Sequence, residues 1–146
     1  MDRSPFDSLG ATHTVDASNT DPVDAIRSMT GGGAEFSFET IGLKKAAEQA
    51  YESLNGGVVA TIVGMVPLGQ KVELDGFSPL FEKRIQGCFM GSNRFHIDMP
   101  NLIDFYKQGR LNLDDMISKL GKLEDVNEAF RATKAGEVAR TVLTFD

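Results

Sequence analysis

The chain has 146 residues, of which 41% are hydrophobic and 25% charged, and its formal net charge is −6 at pH 7. This size and composition are typical of one soluble globular domain with a core of its own. The acidic balance, without a basic cluster, argues against a nucleic-acid partner. No apolar run reaches the roughly 18–20 residues of a membrane span, and the first residues lack a signal-peptide pattern. We therefore expect a cytoplasmic protein with no membrane partner.

Cysteine and histidine are too scarce to indicate a metal site. The single cysteine, Cys88, excludes an intramolecular disulfide and a multi-cysteine zinc site within one chain. His13 and His96 are not at ligand spacing, so we favour exposed positions or positions at the edge of the core for both. No His or Lys adjoins Cys88 in sequence, so a buried structural thiol is favoured over a nucleophile.

The first ninety residues alternate strand and helix patterns, which indicates an α/β fold with right-handed crossovers. Thr20-Asp21-Pro22 supplies an N-cap and a first-turn proline, and Asn55-Gly56-Gly57 is interpreted as a helix end. Residues 58–65 are apolar on both faces, as in the central strand of a covered parallel sheet. In chain order the predicted elements are a strand over 10–17, a helix over 22–30, a strand over 34–39, a helix over 43–54, a strand over 58–65, a helical turn over 77–81 and a strand over 84–90.

After Gly91 the pattern becomes mainly helical. We predict a helix that begins at Pro100 and ends at Gly109, a shorter helix over 113–117, a third that begins at Glu124-Asp125, and a last strand over 139–145. The boundary between the two parts is placed near residues 91–98. This divides the chain into a tail over 1–9, an α/β part over 10–97 and a C-terminal segment over 98–146.

Few residue patterns in this chain indicate catalysis. Gly31-Gly32-Gly33 follows a helix and lacks the G-x-G-x-x-G spacing, so it is interpreted as a turn and not as a dinucleotide fingerprint. Residues 39–42, 63–66 and 88–91 follow three strands of one predicted parallel sheet and should line its carboxyl edge, where ligands of such folds bind. Each has a glycine at or next to the strand end. Glycine there suits either close approach of a ligand or an ordinary tight turn, and both readings remain open.

Five segments in series carry a family resemblance: GATHTVD, GGGAEFSFETIG, GGVVATIVGMVP, IQGCFMGS and GEVARTVLTF. Together they resemble the C-terminal half of the zinc-dependent alcohol dehydrogenases of the medium-chain dehydrogenase/reductase superfamily. The resemblance implies that residues 10–97 are the second half of an NAD-binding Rossmann domain. It also implies that residues 98–146 return to the catalytic domain.

The resemblance assigns cofactor-binding roles to nine residues. Thr40, Ile41 and Gly42 resemble the strand end that passes the riboses of NAD. Val63, Gly64 and Met65 match the strand end beside the nicotinamide, and Cys88 and Met90 match positions whose main chain holds the carboxamide. Arg140 falls on an arginine that contacts the pyrophosphate, a role that suits a guanidinium; from the residues alone it would be a surface arginine.

The departures from the family pattern concern zinc and the phosphate loop. The family's zinc ligands, proton relay and G-x-G-x-x-G loop have no counterpart in this sequence. We therefore expect a C-terminal fragment of an enzyme that oxidises alcohols to aldehydes or ketones with zinc and NAD. The fragment alone should be inactive, should contain no catalytic residue and no metal ligand, and should bind NAD weakly at best.

An alternative expectation is a non-catalytic assembly module or remnant. Family members dimerise through the strand that corresponds to Arg84–Met90, and half of a Rossmann sheet would also expose the strand next to its missing neighbours. The partner expected under this hypothesis is a second copy of the chain. A third arrangement, in which the C-terminal strand fills the gap in the sheet, is left open.

Overall fold

A computed structural model describes residues 9–145 of the chain. The predicted tail over 1–9 therefore lies outside the described residues, apart from Leu9. The described part folds as two compact units, which divide between Asn93 and Arg94. Within these residues, no helix has the length and apolar character needed to cross a membrane.

The first unit is a three-stranded parallel sheet with two helices. The strand order is β1-β2-β3, and both neighbouring pairs are parallel. The predicted α/β class is confirmed, and the apolar segment around residues 58–62 forms part of the central strand. The elements are α1 (Pro22–Thr30), β1 (Ala34–Glu39), α2 (Lys44–Glu52), β2 (Leu54–Ile62) and β3 (Arg84–Gly87), with 3-10 turns at Ser78–Phe81 and Phe89–Ser92.

Helix α1 begins and ends as its sequence predicts. The Asp21 side chain accepts hydrogen bonds from the backbone N–H groups of Val23 and Asp24, at 2.8 and 3.2 Å. Pro22 occupies the first helical position, where no N–H is needed. Gly31 ends the helix in the left-handed conformation, with φ of 70°.

A small core lies between α2 and β2. It contains Tyr51 and Leu54, each 2% exposed, and the fully buried Ala60. Ser78 donates a hydrogen bond to the phenolic oxygen of Tyr51 at 3.0 Å, so the buried hydroxyl has a partner. The Lys83 ammonium lies 4.9 Å from the centre of the Tyr51 ring. Burial, together with a nearby arginine charge, lowers the pKa of Lys83.

Two predicted elements of the first unit are wrong. Residues 10–17 form no strand, and the described sheet has no strand beside β1 on that side for them to join. Asn55-Gly56-Gly57 does not end a helix, because α2 ends at Glu52 and β2 begins at Leu54. Ala34 pairs with Leu54 whereas Phe36 pairs with Val59, so these three residues belong to an irregularity within β2.

Strand β3 is shorter than predicted and is followed by a left-handed turn. The strand ends at Gly87 instead of Met90. Met90, Gly91 and Ser92 then have φ values of 51°, 73° and 50°. Residues other than glycine pay roughly 1–2 kcal/mol for this conformation, so the backbone at Met90 and Ser92 is strained.

The second unit pairs two short parallel strands with a helix. Its elements are α3 (Phe95–Lys107), β4 (Lys119–Lys122), α4 (Val126–Lys134) and β5 (Thr141–Thr144), with 3-10 turns at Asp114–Met116 and Leu123–Asp125. The helix predicted over 113–117 is thus only a 3-10 turn, and β4 is a strand that the sequence did not predict. Strand β5 pairs with β4, which rules out the arrangement in which the C-terminal strand completes the first sheet.

Helix α3 begins five residues before the predicted start at Pro100. Asp98 stabilises this earlier start, since its carboxylate accepts the Arg94 backbone N–H at 2.7 Å and the Arg94 guanidinium at 3.1 Å. Pro100 lies inside the helix. Proline has no N–H, so one intrahelical hydrogen bond is missing. This gap lies near the N-terminal end of the helix, where the first four N–H groups have no helical partner.

Replacing Leu54 by alanine should destabilise the first unit. Leu54 is almost fully buried in the small core, so the Leu54→Ala variant should lose about 2–5 kcal/mol of the free energy of unfolding. The fully exposed Leu68 provides the matched control, and Leu68→Ala should change stability by no more than about 0.5 kcal/mol. Urea denaturation followed by circular dichroism measures both, and equal effects would contradict the assigned core.

Replacing Met90 by glycine should stabilise the protein. Glycine adopts the left-handed conformation without strain, and the Met90 side chain is exposed, so little packing is lost. We expect a gain of up to about 1 kcal/mol after the greater chain entropy of unfolded glycine is included. Met65 is also exposed but has no positive φ, so Met65→Gly should lower stability. A loss of stability in Met90→Gly would argue against the left-handed turn.

Candidate functional site

The carboxyl ends of the three strands of the first unit lie side by side. Glu39 at the end of β1 pairs with Ile62 at the end of β2, and Ile62 pairs with Gly87 at the end of β3. The segments that follow these residues therefore leave the sheet at one edge. This is the arrangement that the sequence predicts for residues 39–42, 63–66 and 88–91, and such an edge is where open parallel sheets bind ligands.

Glu39 joins the first two of these segments. One carboxylate oxygen, Oε1, accepts the backbone N–H groups of Ile41 and Gly42 at 2.8 and 2.7 Å. The backbone carbonyl of the same residue accepts the N–H groups of Val63 and Gly64 at 2.8 and 3.0 Å. One buried residue thus holds both strand ends.

The glycines at these two strand ends are required by a close crossing of the backbone. A Cβ atom at Gly42 would lie 2.6 Å from the carbonyl oxygen of Met65, and the φ of Gly42 is 86°. A Cβ atom at Gly64 would collide with the backbone nitrogen of Gly42 and would lie 2.6 Å from Oε2 of Glu39. The sequence left open a ligand contact or a tight turn, but the contact between these two protein segments is sufficient to explain both glycines.

An apolar crevice of about 490 Å³ lies between the ends of β2 and β3. It contains five of the nine predicted cofactor residues. None of its lining side chains is charged, so it suits a flat ring better than a phosphate. Its lining residues are Ile62, Val63, Gly64, Met65, Gly87, Cys88, Phe89 and Met90.

Thr40 and Ile41 line a different surface. They border a groove of about 520 Å³ that runs along β1 and against α1 and α2. Gly42 lines neither surface, and its backbone packs against Gly64 and Met65 of the crevice wall. The structure therefore brings Gly42 together with Gly64 and Met65, and places Thr40 and Ile41 beside the groove.

Arg140 belongs to the second unit, directly before β5. It is exposed, and its backbone carbonyl accepts the N–H groups of Ser118 and Lys119 at 2.9 and 3.3 Å. The backbone N–H groups of Ala139 and Arg140 donate to the Ser118 hydroxyl at 3.0 and 3.4 Å. These bonds fix the backbone at Arg140, and the guanidinium remains at the protein surface.

Cys88 is half-buried, whereas the sequence favours a buried thiol. Its sulfur accepts a weak hydrogen bond from the Ser92 hydroxyl at 3.8 Å, and it forms no disulfide. The backbone N–H of Cys88 donates to the carbonyl of Ile62 at 2.9 Å, which continues the β2–β3 ladder past Gly87. The residue therefore ties the crevice wall to the sheet.

The described residues do not form a zinc site. Across residues 9–145, no three His, Cys, Asp or Glu side chains lie close enough together to bind a metal ion. His13 and His96 are both exposed. The side chains present in this part of the chain thus do not fit the zinc that the family resemblance implies, and no zinc-dependent step is assigned to them.

The sequence places Glu39 at this edge but does not single out its carboxylate as the group that holds two strand ends together. The alternation along β1 gave a usable signal, because Glu39 lies on the same face as the half-buried Ser37, whose hydroxyl donates to the Ala50 carbonyl of α2 at 2.7 Å. An acidic residue at the end of that face, followed by Thr-Ile-Gly, predicts a carboxylate that accepts turn N–H groups. Phe36 and Phe38 form the opposite face and are 63% and 68% exposed.

Known proteins resemble this chain over most of its length. The family model described as "Zinc-binding dehydrogenase" matches residues 4–108. The class-3 alcohol dehydrogenase of Cereibacter sphaeroides is 32% identical over 143 residues, which is 97% of this chain and 36% of that protein. The chain thus spans little more than a third of this relative.

Solved structures agree in fold. Benzyl alcohol dehydrogenase from Acinetobacter calcoaceticus has a TM-score of 0.89 at 27% identity, over 96% of this chain and 39% of that one. A zinc-binding dehydrogenase from Sinorhizobium meliloti 1021, solved bound to NADP, has a TM-score of 0.75 at 30% identity, over 84% of this chain and 36% of that one. The chain belongs to the zinc-binding dehydrogenase family and corresponds to the C-terminal half of its alcohol dehydrogenase members.

Proposed function

We propose that this chain supplies part of the NAD-binding wall of a zinc-type alcohol dehydrogenase. The observation that carries the proposal is the single sheet edge at which three strand ends, with eight of the nine predicted cofactor residues on or after them, lie side by side. The reaction of the complete enzyme is the oxidation of an alcohol to an aldehyde or ketone. The chain would be a fragment of such an enzyme, which explains why it covers only part of each relative. The fragment alone would be inactive.

The crevice between β2 and β3 is the proposed place for the nicotinamide. Val63, Gly64 and Met65 would form one wall, and Cys88 and Met90 would hold the carboxamide through their main chain. The lining residues carry no basic side chain that would repel the cationic nicotinamide of oxidised NAD, and their apolar surfaces suit a flat ring. When bound, NAD supplies the hydride acceptor of the reaction; the residues named here bind the ring and exclude water from it.

The riboses and the pyrophosphate are assigned to other residues. Thr40, Ile41 and Gly42 follow β1 and are proposed to pass the riboses. Arg140 is proposed to contact the pyrophosphate, and its exposed guanidinium is available for a charge-assisted bond to phosphate oxygens. A relative solved with NADP supports a nicotinamide dinucleotide as the ligand class, and NAD is the form proposed here.

The proposal assigns no zinc chemistry to the described residues. Zinc in the complete enzymes polarises the alcohol oxygen, and that task needs a ligand set that residues 9–145 do not form. A cytoplasmic location is part of the proposal and is in keeping with the single free cysteine, Cys88.

The isolated chain should bind NAD weakly and show no turnover. We expect NAD to shift the backbone amide signals of Val63, Gly64 and Cys88 in nuclear magnetic resonance spectra, with a dissociation constant of about 1 mM or above. Adenosine monophosphate, which has no nicotinamide, is the control ligand and should leave these three signals in place. Absence of NAD-dependent shifts would refute the proposed binding site.

A parallel assay tests the predicted inactivity. The purified chain is mixed with zinc, NAD and a panel of primary and secondary alcohols, and absorbance at the NADH band is followed. No turnover above background is expected. Measurable turnover in this assay would overturn the inactivity, although it would not affect the assignment of the cofactor wall.

A second candidate function, assembly with another copy of the chain, is favoured by the exposed edge strands. All four residues of β3 are exposed, and the aromatic face of β1 is largely uncovered. Cys88 points its backbone N–H at β2, so by alternation Ile85 points its N–H away from β2. Pairing of β3 with its copy across a two-fold axis would use that outward side.

Sedimentation tests the assembly proposal. The wild-type chain should sediment as a dimer at micromolar concentration. Ile85→Pro removes an outward N–H, which an edge strand tolerates, and should give a monomer with an unchanged circular dichroism spectrum. Leu120→Ala, at an exposed position of β4, is the control and should remain dimeric. A monomeric wild type would refute this second function.

A further inference from the structure

Four backbone N–H groups from two segments converge on Glu39. Its carboxylate accepts those of Ile41 and Gly42, and its carbonyl accepts those of Val63 and Gly64, all between 2.7 and 3.0 Å. The first two belong to the segment after β1 and the last two to the segment after β2. These segments are joined covalently only through the whole of α2 and β2. The hydrogen bonds to Glu39 link them directly.

The burial of this carboxylate is costly. Glu39 is 4% exposed, and its second carboxylate oxygen, Oε2, is buried without a hydrogen-bond partner. Removing a carboxylate oxygen from water without a full set of hydrogen bonds is unfavourable. A neutral side chain would avoid that cost, so packing alone does not explain a glutamate at this position.

Gly64 lies directly beside the unpartnered oxygen. The position that a Cβ atom of residue 64 would take is 2.6 Å from Oε2, so a Cα hydrogen of Gly64 faces this oxygen. The same Cβ position collides with the backbone nitrogen of Gly42. The carboxylate, Gly42 and Gly64 therefore pack closely around one shared space.

We propose that Glu39 is a positioning residue that holds the segments after β1 and β2 as one rigid edge. It does not line the crevice, although it borders the groove along β1 beside Thr40 and Ile41. It acts on the crevice through Gly64, which lines it, and through Gly42, whose backbone packs against Gly64 and Met65. The role of this edge in NAD binding rests on the proposed function, whereas the coupling of the two segments does not.

Amide hydrogen exchange tests the coupling without any ligand. Glu39→Met keeps the length of the side chain but removes the acceptor. We expect the amides of Ile41 and Gly42 to exchange about tenfold faster or more, because each loses a bond to a charged group. The Gly64 amide should also exchange faster, although its own acceptor, a backbone carbonyl, is retained. The Cys88 amide, bonded to Ile62, should change by less than about twofold.

Two further variants separate positioning from general stability. Glu39→Gln retains one side-chain oxygen and should restore most of the protection of Gly42. Glu35→Gln alters an exposed glutamate of the same strand and should leave all four amides unchanged. Equal acceleration of every amide, Cys88 included, would assign Glu39 a merely structural role. Unchanged exchange at Gly64 in Glu39→Met would equally overturn the proposal.

Titration with NAD tests whether Glu39 matters for cofactor binding. If NAD shifts the wild-type amides of Val63 and Gly64, Glu39→Met should weaken binding about tenfold or more and Glu39→Gln should bind nearly as the wild type does. Unchanged NAD binding in Glu39→Met would show that Glu39 has no effect on cofactor binding. A wild type that does not respond to NAD would refute the proposed function, and the exchange rates would still decide whether Glu39 couples the two segments.

Discussion

The first unit depends on a backbone crossing at the end of its sheet, where the segments after β1 and β2 approach too closely for any side chain between them. Gly42 and Gly64 make this approach possible, and Glu39 supplies the hydrogen bonds that hold it. The crossing decides where β1 and β2 end and which residues line the crevice beside β3. The candidate site is thus shaped by the packing of protein segments, which leaves its apolar wall in place before a ligand arrives.

Elements with local signals were predictable from the sequence, and those that depend on a distant partner were not. The cap at Asp21, the alternation along β1 and the apolar segment of β2 each lie within a few residues, so the presence of α1, β1 and β2 follows from them. Asn55-Gly56-Gly57 looks like a helix end, yet pairing between Ala34 and Leu54 extends β2 through it. Strand β4 has a single large apolar residue, Leu120, and forms only because β5 pairs with it.

The candidate site shows the same division. Strand ends could be placed at one edge from topology alone, because parallel strands share a direction. The separation of Thr40 and Ile41 from the crevice could not be predicted, because it depends on how the segment after β1 turns around Gly42. Glu39 was placed at the edge, but its role in holding two segments was not predicted, because a glutamate at the end of a strand is ordinarily solvated. Its burial follows from the close approach of Gly64, 25 positions later in the chain.

Parallel pairing throughout the described residues also bears on how the protein folds. No hairpin contributes to either sheet, and partners such as Ala34 with Leu54, Val59 with Arg84 and Lys119 with Thr141 are separated by about twenty residues or more. Each strand pair can form only after a long stretch of chain has closed into a loop, so the entropy of ordering is lost before the contacts are gained. During that interval the Phe36 and Phe38 rings, which remain largely exposed even after folding, are available to other chains. The sheet forms slowly, and the aromatic face of β1 stays uncovered meanwhile. The amount of soluble protein that accumulates therefore depends on the lifetime of the partly folded chain as well as on its final stability.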